Sequence, residues 1–254
     1  MGVDVVMETI KQYSNKRIKD VHLLDGGCGT GNYSKALIQH GICKITMVDA
    51  SQGMLDKAIH KLSRYIESGV VEDVKQSKLP ELPFPDTKLD VVLFSLVLHH
   101  LESDNGNFKQ LQSAVNNASN VLVDNGLLLI IAQTHTDLCN NWYCKLNPNI
   151  TRNYCQRFAP EEVYERYFKA AGLKLLQSIK IRGQLMADHF RSDGPLDASW
   201  RNCDSFWTVA SNDDMRAVEE KIKELKDDNM LEQWIQDNDR TSEDGCITLF
   251  VCKK

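Results

Sequence analysis

Apolar and polar positions along this chain change period repeatedly, and each change marks an element. Val5, Val6, Ile10 and Tyr13 recur at helical spacing and predict a helix within residues 4–18. Val21–Asp25 is a short apolar run and predicts a first strand. Tyr33, Ala36, Leu37 and Ile38 then give a helix that Gly41 stops. Lys44–Val48 reads as a second strand closed by Asp49, and Met54, Leu55, Ala58, Ile59, Leu62 and Ile66 line one face of a helix. Val70–Val74 predicts a short third strand. Leu89–Ser95 is continuously apolar, as in a strand covered on both faces. Phe108, Leu111, Val115, Ala118 and Leu122 form the next helical face. Asp124-Asn125-Gly126 is a turn, and Leu127–Ala132 a fifth strand. Pro160-Glu161-Glu162 opens a helix that buries Val163, Tyr164, Tyr167, Phe168 and Ala171. Leu173–Ile181 and Gly245–Cys252 are the sixth and last strands. The recurring strand–helix order predicts an α/β fold, a doubly wound, mostly parallel sheet of seven strands.

Two stretches break this rhythm. Residues 133–159 lack a clear period and hold His135, Trp142, Tyr143, Tyr154, Arg157 and Phe158. A connection this long is usually functional, and it leaves the carboxyl end of the fifth strand. It is therefore expected to act as a lid, with His135, Trp142, Tyr143 and Arg157 as candidate substrate contacts; the alternative for each is ordinary loop packing. About sixty residues, roughly 183–244, then separate the last two strands. They contain Trp200-Arg201, Ser205-Phe206-Trp207 and helical stretches near 212–226 and 229–237. Trp207 and its neighbours read either as a second wall of a substrate pocket or as a dimer contact. The charged run from Glu219 to Asp228 is a solvated helix face. No repeat or linker splits the chain, so a single domain over 1–254 is expected.

The chemistry concentrates in Leu23-Leu24-Asp25-Gly26-Gly27-Cys28-Gly29-Thr30-Gly31-Asn32, a strand, a glycine turn and a helix start. Glycines there permit positive φ and close approach by a ligand, and the helix aims unpaired N–H groups at the turn. The dinucleotide pattern is G-x-G-x-x-G with a pyrophosphate on the helix. Here the spacing is G-x-G-x-G, and Asp25 would repel a pyrophosphate. A ligand with a positive amino group and no phosphate suits it better, and S-adenosylmethionine is such a ligand. Asp49, about twenty residues further on, either accepts both ribose hydroxyls or caps a helix, a role Ser51 can also fill.

With Met47-Val48-Asp49-Ala50-Ser51, Leu82-Pro83-Phe84-Pro85-Asp86, Leu89-Asp90-Val91-Val92, Leu98-His99-His100-Leu101 and Asn125-Gly126 added, the chain resembles a class I S-adenosylmethionine-dependent methyltransferase. The likeness is to the small-molecule type that includes the ubiquinone and menaquinone biosynthesis enzymes. It covers residues 20–135 closely and the rest in outline, and it specifies the family more than the substrate. It implies a Rossmann-like methyltransferase fold and S-adenosyl-L-methionine as cofactor. Implied cofactor contacts are Asp25, Gly27, Cys28, Gly29, Gly31, Asp49, Ala50, Met54 and Phe94. Many relatives place an acid where this chain has Gln76-Ser77-Lys78. Lysine accepts no hydrogen bond, so the adenine contact falls to backbone, Gln76 or Ser77. His99 and His100 follow the fourth strand and are the candidates for acceptor contact or proton removal, since imidazole titrates near neutral pH; the alternative is bonding to nearby backbone. Tyr13 either covers the ligand or faces the core. The expected activity is methyl transfer to an N, O or C nucleophile of a small molecule. The alternatives are a non-catalytic methyltransferase-like binding subunit and a protein or RNA methyltransferase. A nicotinamide oxidoreductase is opposed by the glycine spacing.

Composition narrows this further. A net charge of −5 argues against a general nucleic-acid or membrane-surface binder. No apolar run approaches a bilayer span, the N-terminus lacks a signal-peptide core, and a cytoplasmic setting is expected. Met1-Gly2 resembles a myristoylation start, but Val6 stands where Ser or Thr is needed. The 8 cysteines form no C-x-x-C pair, so no metal site is expected. Cys139, Cys144 and Cys155 cluster in the irregular stretch without a recognised ligand spacing. The acceptor and the oligomeric state are not readable.

Overall fold

The computed structural model describes residues 2–84, 88–101, 107–186 and 188–254. Pro85 and Asp86 of the motif above therefore lie outside the described residues. In chain order the elements are α1 (Val3–Tyr13), β1 (His22–Gly26), α2 (Asn32–Gln39), β2 (Lys44–Asp49), α3 (Gln52–Glu67), β3 (Val71–Gln76), β4 (Leu89–Ser95), α4 (Lys109–Val121) and β5 (Leu122–Ala132). They continue as α5 (His135–Cys139), α6 (Pro148–Cys155), α7 (Glu161–Ala170), β6 (Lys174–Ile181), α8 (Ala198–Arg201), α9 (Asn212–Asp227), α10 (Leu231–Asn238), α11 (Thr241–Asp244) and β7 (Ile247–Lys253).

The seven strands lie in the order β3-β2-β1-β4-β5-β7-β6. The pairs β1/β2, β1/β4, β2/β3 and β4/β5 are parallel. Strand order reverses between β1 and β4, and open parallel sheets bind ligands beyond the carboxyl ends of the strands at such a point. Register aligns Gly26 with Val48 and Phe94, and Asp49 with Gln76. The ends of four strands thus reach one rim together. β1 and β4 are buried along nearly their whole length, as expected of strands with helices on both faces.

Several boundaries differ from the periodic reading. α1 stops at Tyr13, where the Ser14 N–H closes onto the Ile10 carbonyl. β3 runs two residues further, to Gln76. The expected turn at Asp124-Asn125-Gly126 is absorbed into β5. Asn125 there takes φ 64°, donates to the Lys254 carbonyl at 3.2 Å, and Lys254 donates back to Gly126 at 3.0 Å. A turn residue becomes an edge correction because the carboxyl terminus supplies its partners.

The chain forms two compact units. One comprises residues 2–132, 161–179 and 249–254, and holds most of the sheet. The other comprises residues 133–160 and 180–248, so the aperiodic stretch and the late insertion share one core. That core is aromatic: Trp142, Tyr143, Tyr154, Phe158, Trp200, Phe206 and Trp207 pack with Val218, Ile222, Leu225, Leu231 and Ile235. Tyr143 meets Trp200 edge-on at 5.7 Å and Phe206 at 5.3 Å, a favoured geometry for aromatic quadrupoles. A buried hydrogen bond, His189 Nε2 to Asp239 Oδ2 at 2.5 Å, is accompanied by Thr241 donating to Asp239 Oδ1. Lys180 donates to buried Asp137 at 2.9 Å and to Thr248 at 2.8 Å. No helix among the described residues is long and apolar enough to cross a membrane.

Candidate active site

The glycine turn is built by three different steric demands. Gly27 has φ +80°, and a Cβ there would stand 2.4 Å from Val97 Cγ2. Gly31 has φ +72°, and its Cβ would press on Leu62 and Ala58 of α3 at 3.0 and 3.1 Å. Gly29 has φ +54°, and a Cβ there would meet nothing within 4 Å. Gly27 and Gly31 therefore serve close packing, while Gly29 borders open space. Cys28 is buried, its N–H and that of Gly27 both donating to Val48 O, at 2.9 and 2.7 Å. Those bonds pin the turn to the end of β2.

The two acids sit differently. Asp25 is 1% exposed beneath the turn and accepts from Ser34 Oγ of α2 at 2.5 Å. Burial pushes its carboxyl up to about 6; the neighbouring Asp49 adds to this and Ser34 opposes it. Its charge acts from below the turn rather than at its surface. Asp49 is half-buried at the end of β2; Oδ2 accepts from Gly29 N at 2.8 Å and Oδ1 from Ser51 N at 2.9 Å. A carboxylate offers about four acceptor positions, so two remain for a diol. The helix-cap alternative goes to Ser51, whose hydroxyl accepts from Met54 N. Tyr33, in the first turn of α2, has a buried hydroxyl without a hydrogen-bond partner. Burial and the charge of Asp25 both raise its pKa.

Beside Asp49, Gln76 Nε2 donates to Ala50 O at 3.0 Å. Ser77 N donates to Asp49 O and Ser77 Oγ to Glu81 O. Met54 is 41% exposed on the first turn of α3. Phe94 is a correction to the expected contacts: it is fully buried, and its ring lies 2.5 Å from where a Gly26 Cβ would be. It fills the floor under the turn because Gly26 leaves the room.

After β4 the chain turns sharply. Leu96 adopts φ 50°, unfavourable for a branched residue, and donates to Ile131 O at 2.9 Å. This brings Val97 against Gly27 and starts the short helical turn Leu98–His100. The His99 and His100 rings lie 4.0 Å apart. His100 lines a cleft of about 320 Å³ together with Lys78, Glu81 and Gln110. Sequence reasoning missed Val97, Ser34 and Tyr33. Only Ser34 carried a local signal, as a polar residue one helical turn past the glycines.

The other expected substrate contacts are mostly committed elsewhere. Tyr13 is half-buried at the end of α1, its carbonyl accepting from Lys253 Nζ at 3.4 Å. Trp142, Tyr143 and Trp207 are core residues of the second unit, so for the first two the packing alternative to a lid contact is the one that describes their surroundings. Trp142 Nε1 donates to His189 O at 2.8 Å, and Tyr143 Oη to Asp204 at 2.6 Å. His135 Nε2 lies 2.9 Å from both the Cys155 and Phe158 carbonyls. Arg157 reaches Thr208 at 3.2 Å and stacks over Tyr154. Polar groups this engaged would have to break bonds to bind a ligand.

Residues 24–130 match the methyltransferase domain family. The matched segment runs from β1 into β5 and so takes in the glycine turn of the Rossmann-like sheet. An uncharacterized protein of Haemophilus influenzae is 31% identical over 121 residues, 46% of this chain and 44% of that one. The ubiquinone biosynthesis O-methyltransferase of Rickettsia akari is 26% identical over 171 residues, 64% of this chain and 63% of that one. The chain thus spans 44% and 63% of the length of these relatives. Among solved structures, a protein described as a methyltransferase from an antibiotic biosynthesis pathway of Anabaena variabilis superposes with a TM-score of 0.74 at 18% identity, covering 99% of this chain and 97% of that one. That likeness shows the shared fold.

Proposed function

We propose that this protein transfers a methyl group from S-adenosylmethionine to an N, O or C nucleophile of a small molecule. The observation that carries the reading is the turn itself. Of its three glycines with positive φ, Gly29 alone borders open space, and its N–H is held by a carboxylate with acceptor positions to spare. Two neighbouring acids, one buried and raised to about 6, make a site that gains by receiving positive charge.

The cofactor, when bound, supplies a methyl group already activated on a sulfonium. Asp49 would hold the ribose hydroxyls, with the Gly29 and Ser51 N–H groups fixing its orientation. Asp25, tethered by Ser34, would offer negative charge to the amino group through the turn. Gln76, its amine end anchored on Ala50, would present its oxygen to the adenine amino group. Tyr33 has a donor left over for the methionine end. His99 and His100 would orient the acceptor or take its proton, and the cleft beside His100 suits a small polar molecule. Alignment of donor and acceptor supplies much of the rate in such a reaction.

Calorimetry with S-adenosylhomocysteine tests this, with NAD as the control. Micromolar binding of the first and none of the second is expected. Asp49→Ala should weaken it by roughly 1–3 kcal/mol, the cost of unpartnered buried hydroxyls. Absence of S-adenosylhomocysteine binding, or equal affinity in the variant, would overturn the assignment.

A further inference from the structure

Lys61, on α3, reaches back to the glycine turn. Its ammonium donates to Thr30 O at 2.8 Å, to Thr30 Oγ1 at 3.2 Å and to Asn32 Oδ1. An ammonium has three N–H donors, so all three are engaged on the second half of the turn. The three partners are uncharged oxygens.

The turn is thereby held from two sides. Its first half is tied to β2: Gly27 and Cys28 donate to Val48 O, and Gly29 N donates to the Asp49 carboxylate. Its second half is tied to α3, where Gly31 packs against Ala58 and Leu62 and Lys61 supplies the polar anchor. Gly31 N also donates to Cys28 O at 2.9 Å. The Thr30–Gly31 peptide is therefore fixed at both ends, its N–H by Cys28 and its carbonyl by Lys61. Gly29, which borders open space, lies between the two anchors.

Such a turn needs anchors. Gly29 and Gly31 both take positive φ, yet glycine visits either sign of φ about equally readily. Local preference cannot hold this shape, so its partners must. Helix stability does not account for the contact. Asn32 is the first residue of α2, and the N-cap Gly31 makes no side-chain cap bond. A helix N-terminus favours negative charge, so an ammonium placed there opposes the helix. What the ammonium does fix is the direction of the Thr30 carbonyl.

We propose that Lys61 is a positioning residue for cofactor binding. It holds the Thr30–Asn32 half of the turn in the arrangement that receives the methionine end of S-adenosylmethionine, and it acts through the turn rather than on the ligand. This rests on the function proposed above. Apparent affinity scales with the fraction of protein in the competent arrangement, so a turn correctly shaped about a tenth of the time binds about tenfold more weakly.

Calorimetry with S-adenosylhomocysteine on the parent, Lys61→Met and Lys61→Arg tests it. Methionine keeps an unbranched apolar stem and loses the donors; arginine keeps both donors and charge. Lys61→Met should bind about tenfold more weakly, and Lys61→Arg should recover most of that loss. Amide hydrogen exchange at Gly31, read by nuclear magnetic resonance on the free proteins, should quicken in Lys61→Met and stay near the parent rate in Lys61→Arg. Melting temperatures of the three free proteins should stay alike, because a partly exposed side chain adds little to global stability. A Lys61→Met variant that binds as tightly as the parent would overturn the proposal, as would a Lys61→Arg variant no better than Lys61→Met. A loss of affinity that merely follows a lower melting temperature would make the residue structural and overturn it too. The two levels of failure separate cleanly. A parent that binds no S-adenosylhomocysteine fails the function itself and this role with it, whereas a parent that binds while Lys61→Met is unaffected fails the role of Lys61 alone.

Discussion

Replacing Asp25 by Asn should stabilise the free protein at neutral pH while weakening the S-adenosylhomocysteine binding proposed above. Asp25 is 1% exposed and its carboxyl is raised from 3.8 to about 6, chiefly by burial and then by Asp49. Between these two values the folded protein keeps a proton that the unfolded chain has lost. Stability therefore falls as pH rises through that window. Above it the ionised carboxylate costs about 3 kcal/mol relative to the unfolded chain. Asparagine has nearly the same shape and cannot ionise, and its oxygen can still accept from Ser34. The bond to a neutral acceptor is weaker by about 1 kcal/mol, so a net gain of about 2 kcal/mol at pH 7 is expected. Urea unfolding followed by circular dichroism at pH 4 and pH 7 measures it. The variant should gain at pH 7, gain little at pH 4, and lose the slope between them. Calorimetry should show S-adenosylhomocysteine bound more weakly, by on the order of 1–3 kcal/mol, because a neutral amide no longer attracts its ammonium. A variant less stable than the parent at pH 7, or one with the same pH slope, would refute the buried-charge argument.

The turn glycines and the buried His189–Asp239 contact supply two more tests. Gly27→Ala should cost roughly 2–5 kcal/mol, since its Cβ would stand 2.4 Å from Val97 at φ +80°. Gly29→Ala should cost only about 1–2 kcal/mol of left-handed strain yet reduce S-adenosylhomocysteine binding more sharply; Val97→Ala should partly restore Gly27→Ala alone. Equal losses of stability would show that Gly29 does not face open space. Asp239→Ala should destabilise its unit by about 3–5 kcal/mol, because it leaves His189 buried without its carboxylate. Tryptophan fluorescence reads this unit directly, since Trp142, Trp200, Trp207 and Trp234 all belong to it. Burial pushes Asp239 up, but the bonds from His189 and Thr241 outweigh it and hold the carboxyl below its usual range. The stabilisation should therefore persist at neutral pH and fade only as pH falls below about 4.

Everything carried by local period and local chemistry was legible along the chain alone. Leu89–Ser95 had to be a covered strand, and G-x-G-x-G between an apolar run and a helical face had to be a strand–turn–helix. The two acids at the ends of consecutive parallel strands then had to face one rim, because β–α–β connections repeat one hand. Tertiary structure decided which of several chemically similar residues meet open space. Gly27 and Gly29 look alike in sequence, yet Val97, seventy residues away, takes the room beside one and not the other. Trp142 and Trp207 sit in segments without a period, so nothing local distinguishes a ring for a ligand from a ring for a core. Their partners, His189 for the indole of one and Tyr143 for the face of the other, arrive from about fifty to sixty residues off in the chain. Periodicity reports the face that an element buries. Only the packed chain reports what lies against that face, because the decisive contacts join residues that no short window of sequence contains.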